Sequence, residues 1–321
     1  MKWNEIEINQ SLFKDYLNRI DEKKNKIILA RPLPAIALQK INESIQIEWT
    51  YNSNSIEGNT LSLNETKLVI ENGMTIKGKS LKEHFEAMNH QDAIEFIISL
   101  SEKKKPLKEN DILDTHALIL DKIEKEFSGR YRNSGVRILG ANFNPPNALK
   151  IDSMMEELIH WTNKESFDLH PIIKSSIFHH RFVWIHPFFD GNGRTARLIL
   201  NLLLLKEKYP PIIILKNDKI KYYDALNKAN QGDYSKLILL VIQAAERTID
   251  IFLSNMDNNL EAYKMISEIV EEPDIHYGQE YLSLLARQGK IDAYKEGKNW
   301  HTTTSAVKDY IKLRKRNRLV A

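Results

Sequence analysis

The residues from His186 to Arg197 combine side chains that could catalyse the transfer of a phosphorylated group. The segment reads His-Pro-Phe-Phe-Asp-Gly-Asn-Gly-Arg-Thr-Ala-Arg. His186 could take a proton from an attacking hydroxyl group, and Asp190 adds a carboxylate. Gly191 and Gly193 allow the backbone to come close to a ligand. The residue types therefore indicate a catalytic loop.

The same loop is predicted to bind anions. Where a loop opens a helix, the first N–H groups have no intrahelical partner and lie at the positive end of the helix dipole. Arg194 and Arg197 are three residues apart, so they project from one face of that helix and could hold neighbouring phosphates. The pattern predicts a phosphate-binding site.

Two helices are predicted to position this loop. The segment from about Asn192 to Lys206 is apolar nearly all round between Leu198 and Leu205, which is typical of a central buried helix. A second helix is predicted at Pro171–Trp184. Most of the remaining chain also has helical periodicity. Further helices are predicted at 36–51, from Ser62 (a capping box with Glu65), at 80–100, 110–129, 152–163, 222–230, 235–254 and 260–270.

Residues 135–150 differ from this helical pattern. An alternating stretch is followed by a turn at 140–142, and two prolines at 145 and 146 exclude a helix. We predict a short β-hairpin with an irregular return. Its alternating strand consists of Val136, Arg137, Ile138 and Leu139.

The motif His-Pro-Phe-x-Asp-Gly-Asn-Gly-Arg-x-x-Arg is the signature of the Fic domain family, and every fixed position is matched by His186–Arg197. The resemblance extends over about residues 40–250. It implies a mainly α fold, a Fic-type helical bundle with a short β-hairpin flap. It also implies a nucleotidyltransferase: a protein adenylyltransferase that transfers AMP from ATP to a Ser, Thr or Tyr hydroxyl of a target protein and releases pyrophosphate.

The resemblance implies a role for each motif residue. His186 is expected to act as the general base, and Asp190 to bind Mg²⁺, which suits one carboxylate with phosphate oxygens and waters. Arg194 and Arg197 are expected to hold the β- and γ-phosphates, and the flap to clamp the target. The residues expected to cradle the α- and β-phosphates are Gly191, Asn192 and Gly193.

Ser53-x-x-x-Glu57-Gly58 resembles the inhibitory motif of one Fic class, in which the glutamate pairs with the second motif arginine. Here that arginine is Arg197, and pairing would prevent it from binding the γ-phosphate. The inhibitory helix is expected at about residues 45–60. A surface helix end is the alternative for so loose a pattern. Removal of AMP from targets, with Glu57 activating water, is a competing activity.

Composition bounds the protein class. The chain has 321 residues, a formal net charge of +3 and no cysteine, which excludes disulfides and thiolate metal sites. No apolar run approaches the ~20 residues that span a membrane, so we predict a cytoplasmic protein without membrane contact.

A zinc site at His179 and His186 lacks a completing ligand, and His179 and His180 are predicted to be structural. Asn201 is expected either to orient the motif or to cap a packed face.

The C-terminal segment resembles a winged helix-turn-helix module of excisionase-like proteins, with a helix at 279–288, short strands in 289–300 and a helix at 304–313. The expected domains are 1–105, a catalytic core at 106–255, a linker helix at 256–273 and the winged module at 274–321. The basic residues of 308–318 make DNA a possible partner. A DNA-binding regulator or toxin-like protein acting through this module is the alternative function. A homodimer, self-modification and other donor nucleotides stay open.

Overall fold

The computed structural model describes residues 8–29, 35–103, 105–138, 143–256, 263–296 and 298–319. By its contacts the chain divides into two units, one built mainly from Gln39–Ile242 and the other from Ser11–Leu38 and Gln243–Ala321. In chain order the helices are α1 (Lys14–Leu29), α2 (Ala35–Ile56), α3 (Leu63–Asn72), α4 (Leu81–Glu102), α5 (Glu109–Leu120), α6 (Ile151–His160), α7 (Pro171–Ile185), α8 (Asn192–Lys206), α9 (Lys219–Ala229), α10 (Ser235–Met256), α11 (Ile266–Ile269), α12 (Gln279–Arg287) and α13 (Thr304–Leu319).

The first unit is a helical bundle with α8 at its centre. Helices α4, α5 and α7 pack against α8, and Leu198, Ile199 and Leu202 are fully buried. Each buried leucine or isoleucine of this size contributes about 1.5–3 kcal/mol relative to an exposed one. The predicted central helix, with the bounds expected from the leucine pattern, is confirmed, and so is the mainly helical architecture.

Local signals fix the helix boundaries. The capping box at the start of α3 is present, because the Ser62 hydroxyl accepts the Glu65 N–H at 3.2 Å and the Glu65 carboxylate accepts the Ser62 N–H at 2.7 Å. A second capping box joins Ser80 and Glu83 at the start of α4. Helix α5 ends at Leu120, earlier than expected, and turns carry the chain on to Gly129.

The β-hairpin expected in 135–150 is not paired in the described part of this segment. Residues 131–138 and 143–147 contain no strand, and Ala148–Lys150 is a turn of 3₁₀ helix. Val136, Arg137 and Ile138 lie in this irregular segment, and Leu139 falls outside the described residues. The two stems are joined through the side chain of Arg132 rather than through a strand ladder.

The second unit contains the sheet of the structure. Strands β1 (Lys264–Met265), β2 (Ala293–Glu296) and β3 (Asn299–Thr302) are antiparallel in the order β1-β3-β2. The expected helix at 260–270 was wrong in its described part, because β1 pairs with β3 (Lys264 with Thr302) and only α11 follows. Helices α12 and α13 and the β2–β3 pair lie where the sequence predicts them. The winged-module identity of this unit stays a prediction.

Three cations of α13 have partners within this unit. Lys308 binds Asp274 at 2.9 Å, Lys312 binds Asp309 at 3.2 Å, and Arg314 donates to the Tyr281 hydroxyl at 2.9 Å. Surface pairs of this kind are weak, so they neither support nor contradict the prediction of DNA binding. No helix in the described part of the chain is long and apolar enough to cross a membrane.

A buried ammonium group organises the second unit. Lys23 on α1 is 5% exposed and contacts Asp250 at 2.7 Å, Glu246 at 3.2 Å and Asp292. Arg19 binds Glu246 through two bonds of 2.6 and 2.9 Å. Burial raises the pKa of Asp250 to about 7. These three carboxylates, Glu246, Asp250 and Asp292, are the one set of potential metal ligands of that size in the described residues, and the Lys23 ammonium already contacts all three.

Candidate active site

The loop between α7 and α8 presents the motif. Helix α7 ends at Ile185, and the next residue, His186, adopts a left-handed conformation (φ 52°, ψ 60°) and precedes Pro187. The left-handed region costs a residue with a Cβ about 1–2 kcal/mol, so other contacts must hold this turn. Gly191 is also left-handed (φ 75°), and α8 begins at Asn192. Thr195 makes the first N–H bond of the helix, to the Gly191 carbonyl. The N–H groups before it mark an anion-binding helix start.

Asn192 closes the loop through its side chain. Its Oδ1 accepts the Phe188 N–H at 2.9 Å, and its Nδ2 donates to the Phe188 carbonyl at 2.8 Å. The amide side chain that the sequence assigned to the phosphates therefore holds the loop. Phe188 is fully buried and anchors the loop in the core.

His116 on α5 packs against the loop between α7 and α8. Its ring stacks on Phe188 at 3.6 Å between centroids. Its Nδ1 accepts the Gly129 N–H at 3.0 Å, so the other nitrogen carries the proton and donates to the Asp190 carbonyl at 3.0 Å. Burial lowers the pKa of His116 to about 4, so the ring is neutral. This residue could not be predicted from the sequence, since no local pattern links it to a loop 74 residues away.

His186 is neutral at physiological pH and can accept a proton. Burial lowers its pKa to about 4, and the nearby Arg132 charge adds to the effect, while the Val183 backbone, Glu57 and Asp190 oppose it. The Asp190 carboxylate is 43% exposed in its side chain and accepts the Gly191 N–H at 2.6 Å. A hard oxygen donor thus faces solvent beside the imidazole.

Arg194 is a buried cation with unused donors. It is 2% exposed, and its guanidinium lies 3.5 Å from both Asp190 and Glu86. Within the described residues its buried Nε has no hydrogen-bond partner. An unpaired buried donor costs about 1–3 kcal/mol, which indicates a site that is completed by an acceptor from outside the chain.

The structure brings Glu57 and Arg197 together. Nη2 of Arg197 donates to the Glu57 carboxylate at 2.8 Å and to the Ser53 carbonyl at 2.9 Å, and Nε donates to the Ser53 hydroxyl at 3.1 Å. Burial of Arg197 opposes its charge, but Glu57 and Tyr222 together raise the pKa of the arginine. A charge-assisted contact of this kind is among the stronger ones in proteins.

The end of α2 presents Glu57 to this arginine. The helix ends at Ile56, and Gly58 takes the positive φ of 105° that turns the chain away. On the two sides of Glu57, Asn54 donates to the Glu86 carbonyl at 3.1 Å and Asn59 donates to the Glu86 carboxylate at 2.9 Å. Glu86 therefore holds the segment that carries Glu57 and also lies against Arg194.

Gly193 leaves the space that the Glu57 carboxylate occupies. A Cβ at position 193 would overlap Glu57 Oε1 and would lie 3.1 Å from Arg197 Nη1. Gly193→Ala should therefore displace Glu57 and lower the free energy of unfolding by about 1–3 kcal/mol, the typical cost of losing a charged hydrogen bond. In a Glu57→Gly background the same change should be neutral or stabilising by about 0.5–1 kcal/mol, because alanine favours a helix.

Urea unfolding of the four proteins in this double-mutant cycle measures the coupling. Equal effects of Gly193→Ala in both backgrounds would show that Glu57 does not occupy this space.

The remaining predicted residues are structural. His179 contacts the Tyr222 hydroxyl at 2.7 Å, and His180 contacts Tyr234 at 2.8 Å and Asn230 at 2.9 Å. These bonds confirm that His179 and His180 are hydrogen-bonded core histidines. Asn201 donates to the Arg197 and Ile212 carbonyls at 3.1 and 3.0 Å, so it fixes the helix that carries the arginines.

The chain is similar in sequence to known proteins. A sequence profile of the Fic/DOC family matches residues 106–204. The chain is 35% identical over 248 residues to a protein of Nematostella vectensis named protein adenylyltransferase Fic, covering 77% of this chain and 57% of that protein. It is also 35% identical over 237 residues to a Culex quinquefasciatus protein of the same name, covering 73% and 47%. The chain thus spans about half the length of the curated relatives it matches.

Solved structures share the fold. Fic-1 (residues 134–508) of C. elegans superposes with a TM-score of 0.70 at 29% identity, covering 77% of this chain and 73% of that one. A glutamate-to-glycine variant of the same fragment is 30% identical with the same TM-score and coverage. A Fic domain-containing signalling protein from Bacteroides thetaiotaomicron has a TM-score of 0.68 at 28% identity, covering 75% and 96%.

Proposed function

The chain belongs to the Fic/DOC family, and from this membership we propose that it is an autoinhibited protein adenylyltransferase. In this proposal it transfers AMP from ATP to a hydroxyl side chain of a target protein. The observation that carries the proposal is Arg194, a buried guanidinium with unpaired donors at the start of a helix. A polyphosphate supplies the acceptors that such a site lacks.

The chemistry follows from the order of groups along the loop. The target hydroxyl oxygen attacks the α-phosphorus and forms a new O–P bond, while the bond to the β-phosphate breaks and pyrophosphate leaves. His186, neutral because its pKa is lowered to about 4, takes the hydroxyl proton. The helix N–H groups and Arg194 stabilise the charge that develops on the phosphates. Catalysis rests on positioning and charge neutralisation.

Asp190 fits a magnesium ion. Its carboxylate is partly exposed and lies beside the start of α8. The Arg194 guanidinium is 3.5 Å away. A single carboxylate with phosphate oxygens and waters is a typical Mg²⁺ environment. The ion, when bound, neutralises phosphate charge. No zinc-type ligand set is needed for this reaction.

Glu57 blocks the reaction in this proposal. While its carboxylate occupies Arg197, that guanidinium is not available to the γ-phosphate, and ATP cannot take the in-line position. The carboxylate is one-third exposed, so it can leave without opening the core. Whatever binds the segment near Asn59 or Glu86 would change the balance between the inhibited and the competent state.

Label transfer tests the proposal directly. The protein is incubated with Mg²⁺ and cell lysate, or alone, with ATP labelled at either the α- or the γ-phosphate. Label that enters protein from the α position but not from the γ position identifies AMP transfer. Label from the γ position would indicate phosphorylation instead and would contradict the proposal. Label that enters the protein itself in the absence of lysate would identify self-modification.

The transfer rate should be insensitive to pH near neutrality. Because burial lowers the pKa of His186 to about 4, the base is neutral over this whole range, and protonation removes it only as the pH falls through that value. At saturating ATP, kcat should stay level between about pH 6 and 8, whereas an ordinary imidazole of pKa ~6.5 would lose half its basic form within that range. A rate that halves near pH 6.5 would contradict a buried His186 base.

A further inference from the structure

Arg132 is a buried cation that lies outside the sequence motif. Its side chain is 2% exposed, in the loop that follows α5. Its hydrogen bonds in the described residues all go to main-chain carbonyls. They are those of His186 at 2.7 Å, Ser134 at 2.8 Å, Pro146 at 2.7 Å and Ile185 at 3.5 Å. Four carbonyl dipoles therefore disperse one buried charge.

One end of this network holds the turn that carries His186. Nε binds the His186 carbonyl, and the backbone N–H of Arg132 donates to the Pro187 carbonyl at 2.9 Å. This is the point where His186 is left-handed and the chain leaves α7. Strained backbone persists only where its surroundings over-determine it, and Arg132 supplies two hydrogen bonds to that turn.

The other end of the network joins the two stems of the irregular segment predicted to clamp the target. Ser134 lies on the outgoing stem and Pro146 on the return. No strand ladder fixes the described part of this segment, so the guanidinium sets the separation of its stems. A planar group with five donors can bind carbonyls in several directions at once, and a lysine ammonium cannot match that geometry.

We propose that Arg132 is a positioning residue for AMP transfer. It fixes the His186 backbone relative to the irregular segment predicted to clamp the target. The inference rests on the proposed function. Arg132 does not touch the reacting atoms in this scheme. It fixes the distance between the base and the hydroxyl that the segment delivers, and a displacement of about 1 Å in such a distance can lower a rate about a hundredfold.

The test uses three substitutions in the Glu57→Gly protein: Arg132→Gln, Arg132→Lys and the control Arg130→Gln. Arg130 lies two residues away and is exposed, so its substitution removes the same charge without touching the turn. Four quantities are measured: kcat for α-label transfer, stabilisation of the fold by Mg-ATP, the melting temperature, and the imidazole NMR signals of His186, assigned with His186→Ala.

We expect Arg132→Gln to lower kcat about a hundredfold, and Arg132→Lys about tenfold, while stabilisation by Mg-ATP is kept. The His186 signals should shift in Arg132→Gln, and those of His179 should not. Arg130→Gln should change none of these. A loss of ATP stabilisation in parallel with kcat would mean a general structural role and would overturn the proposal.

The imidazole signals keep this inference separate from the proposed function. If Glu57→Gly itself transfers no label, the adenylyltransferase proposal fails, and Arg132 is judged on the NMR spectra alone. His186 signals that stay in place in Arg132→Gln overturn the positioning role whatever the label shows. If the glutamine variant does not fold, the same comparison is made with Arg132→Lys.

Discussion

Glu57→Gly should raise the rate of α-label transfer from ATP about 10- to 150-fold. That range corresponds to the ~1.5–3 kcal/mol of a hydrogen bond between charged groups, here the contact of Glu57 with Arg197 at 2.8 Å. In the proposed mechanism, the substitution frees the arginine for the γ-phosphate and removes the carboxylate that lies beside Gly193. The measurement is the initial rate at saturating Mg-ATP.

A second signature separates released inhibition from a general change in the protein. Without Glu57, Arg197 stays buried but lacks its carboxylate, so the Glu57→Gly protein should be less stable than wild type in the absence of nucleotide. Mg-ATP should then raise its melting temperature more than it does for wild type, because bound phosphate replaces the carboxylate.

Glu43→Gln is the matched control for Glu57→Gln. Both remove one carboxylate, but Glu43 lies exposed on α2 and contacts Gln39, whereas Glu57 follows the end of that helix. Only the change at position 57 should increase transfer. If Glu57→Gln and Glu57→Gly both transfer at the wild-type rate, the carboxylate does not inhibit the enzyme, and the regulatory part of the proposal is wrong.

His186→Ala, made in the Glu57→Gly protein, should lower transfer about 10²- to 10⁴-fold, the usual contribution of a general base. The imidazole is the neutral base of the loop, and the other histidine that supports the loop, His116, uses both ring nitrogens in structural hydrogen bonds. Stabilisation by Mg-ATP should be kept, since the phosphate-binding groups are elsewhere.

His160→Ala provides the control for this substitution. His160 is the last residue of α6, and its side chain is 63% exposed beside Glu165, so its loss should leave transfer unchanged. Transfer by His186→Ala within about threefold of its parent would exclude general-base catalysis by this residue.

The catalytic helix could be predicted from sequence because its signals are local. The glycines, the proline and the leucine run between His186 and Lys206 fix a loop and a buried helix without reference to the rest of the chain. The pairing of Glu57 with Arg197 could be predicted only through a family resemblance, since 140 residues separate them.

The supporting residues could not be predicted in this way. Arg132 reaches a carbonyl 54 residues away, and Glu86 joins Asn59 and Arg194 across two helices. Neither contact corresponds to a periodic pattern in the sequence. The β-hairpin prediction for 135–150 failed in its described part for a related reason. Alternation favours extended chain, but whether two extended stems pair is decided by neighbours, and here a guanidinium lies between them.

Because the backbone of His186 is left-handed, the residue that would be most stable at this position is not the one that the proposed reaction needs. Glycine adopts φ 52° without steric cost, so a chain with glycine there would fold more stably and would lack its base. Selection for heat resistance alone would favour glycine at this position, and selection for the proposed reaction would oppose it. Related chains that have lost the histidine but kept the loop are therefore the expected remnants of lineages in which the activity was no longer needed.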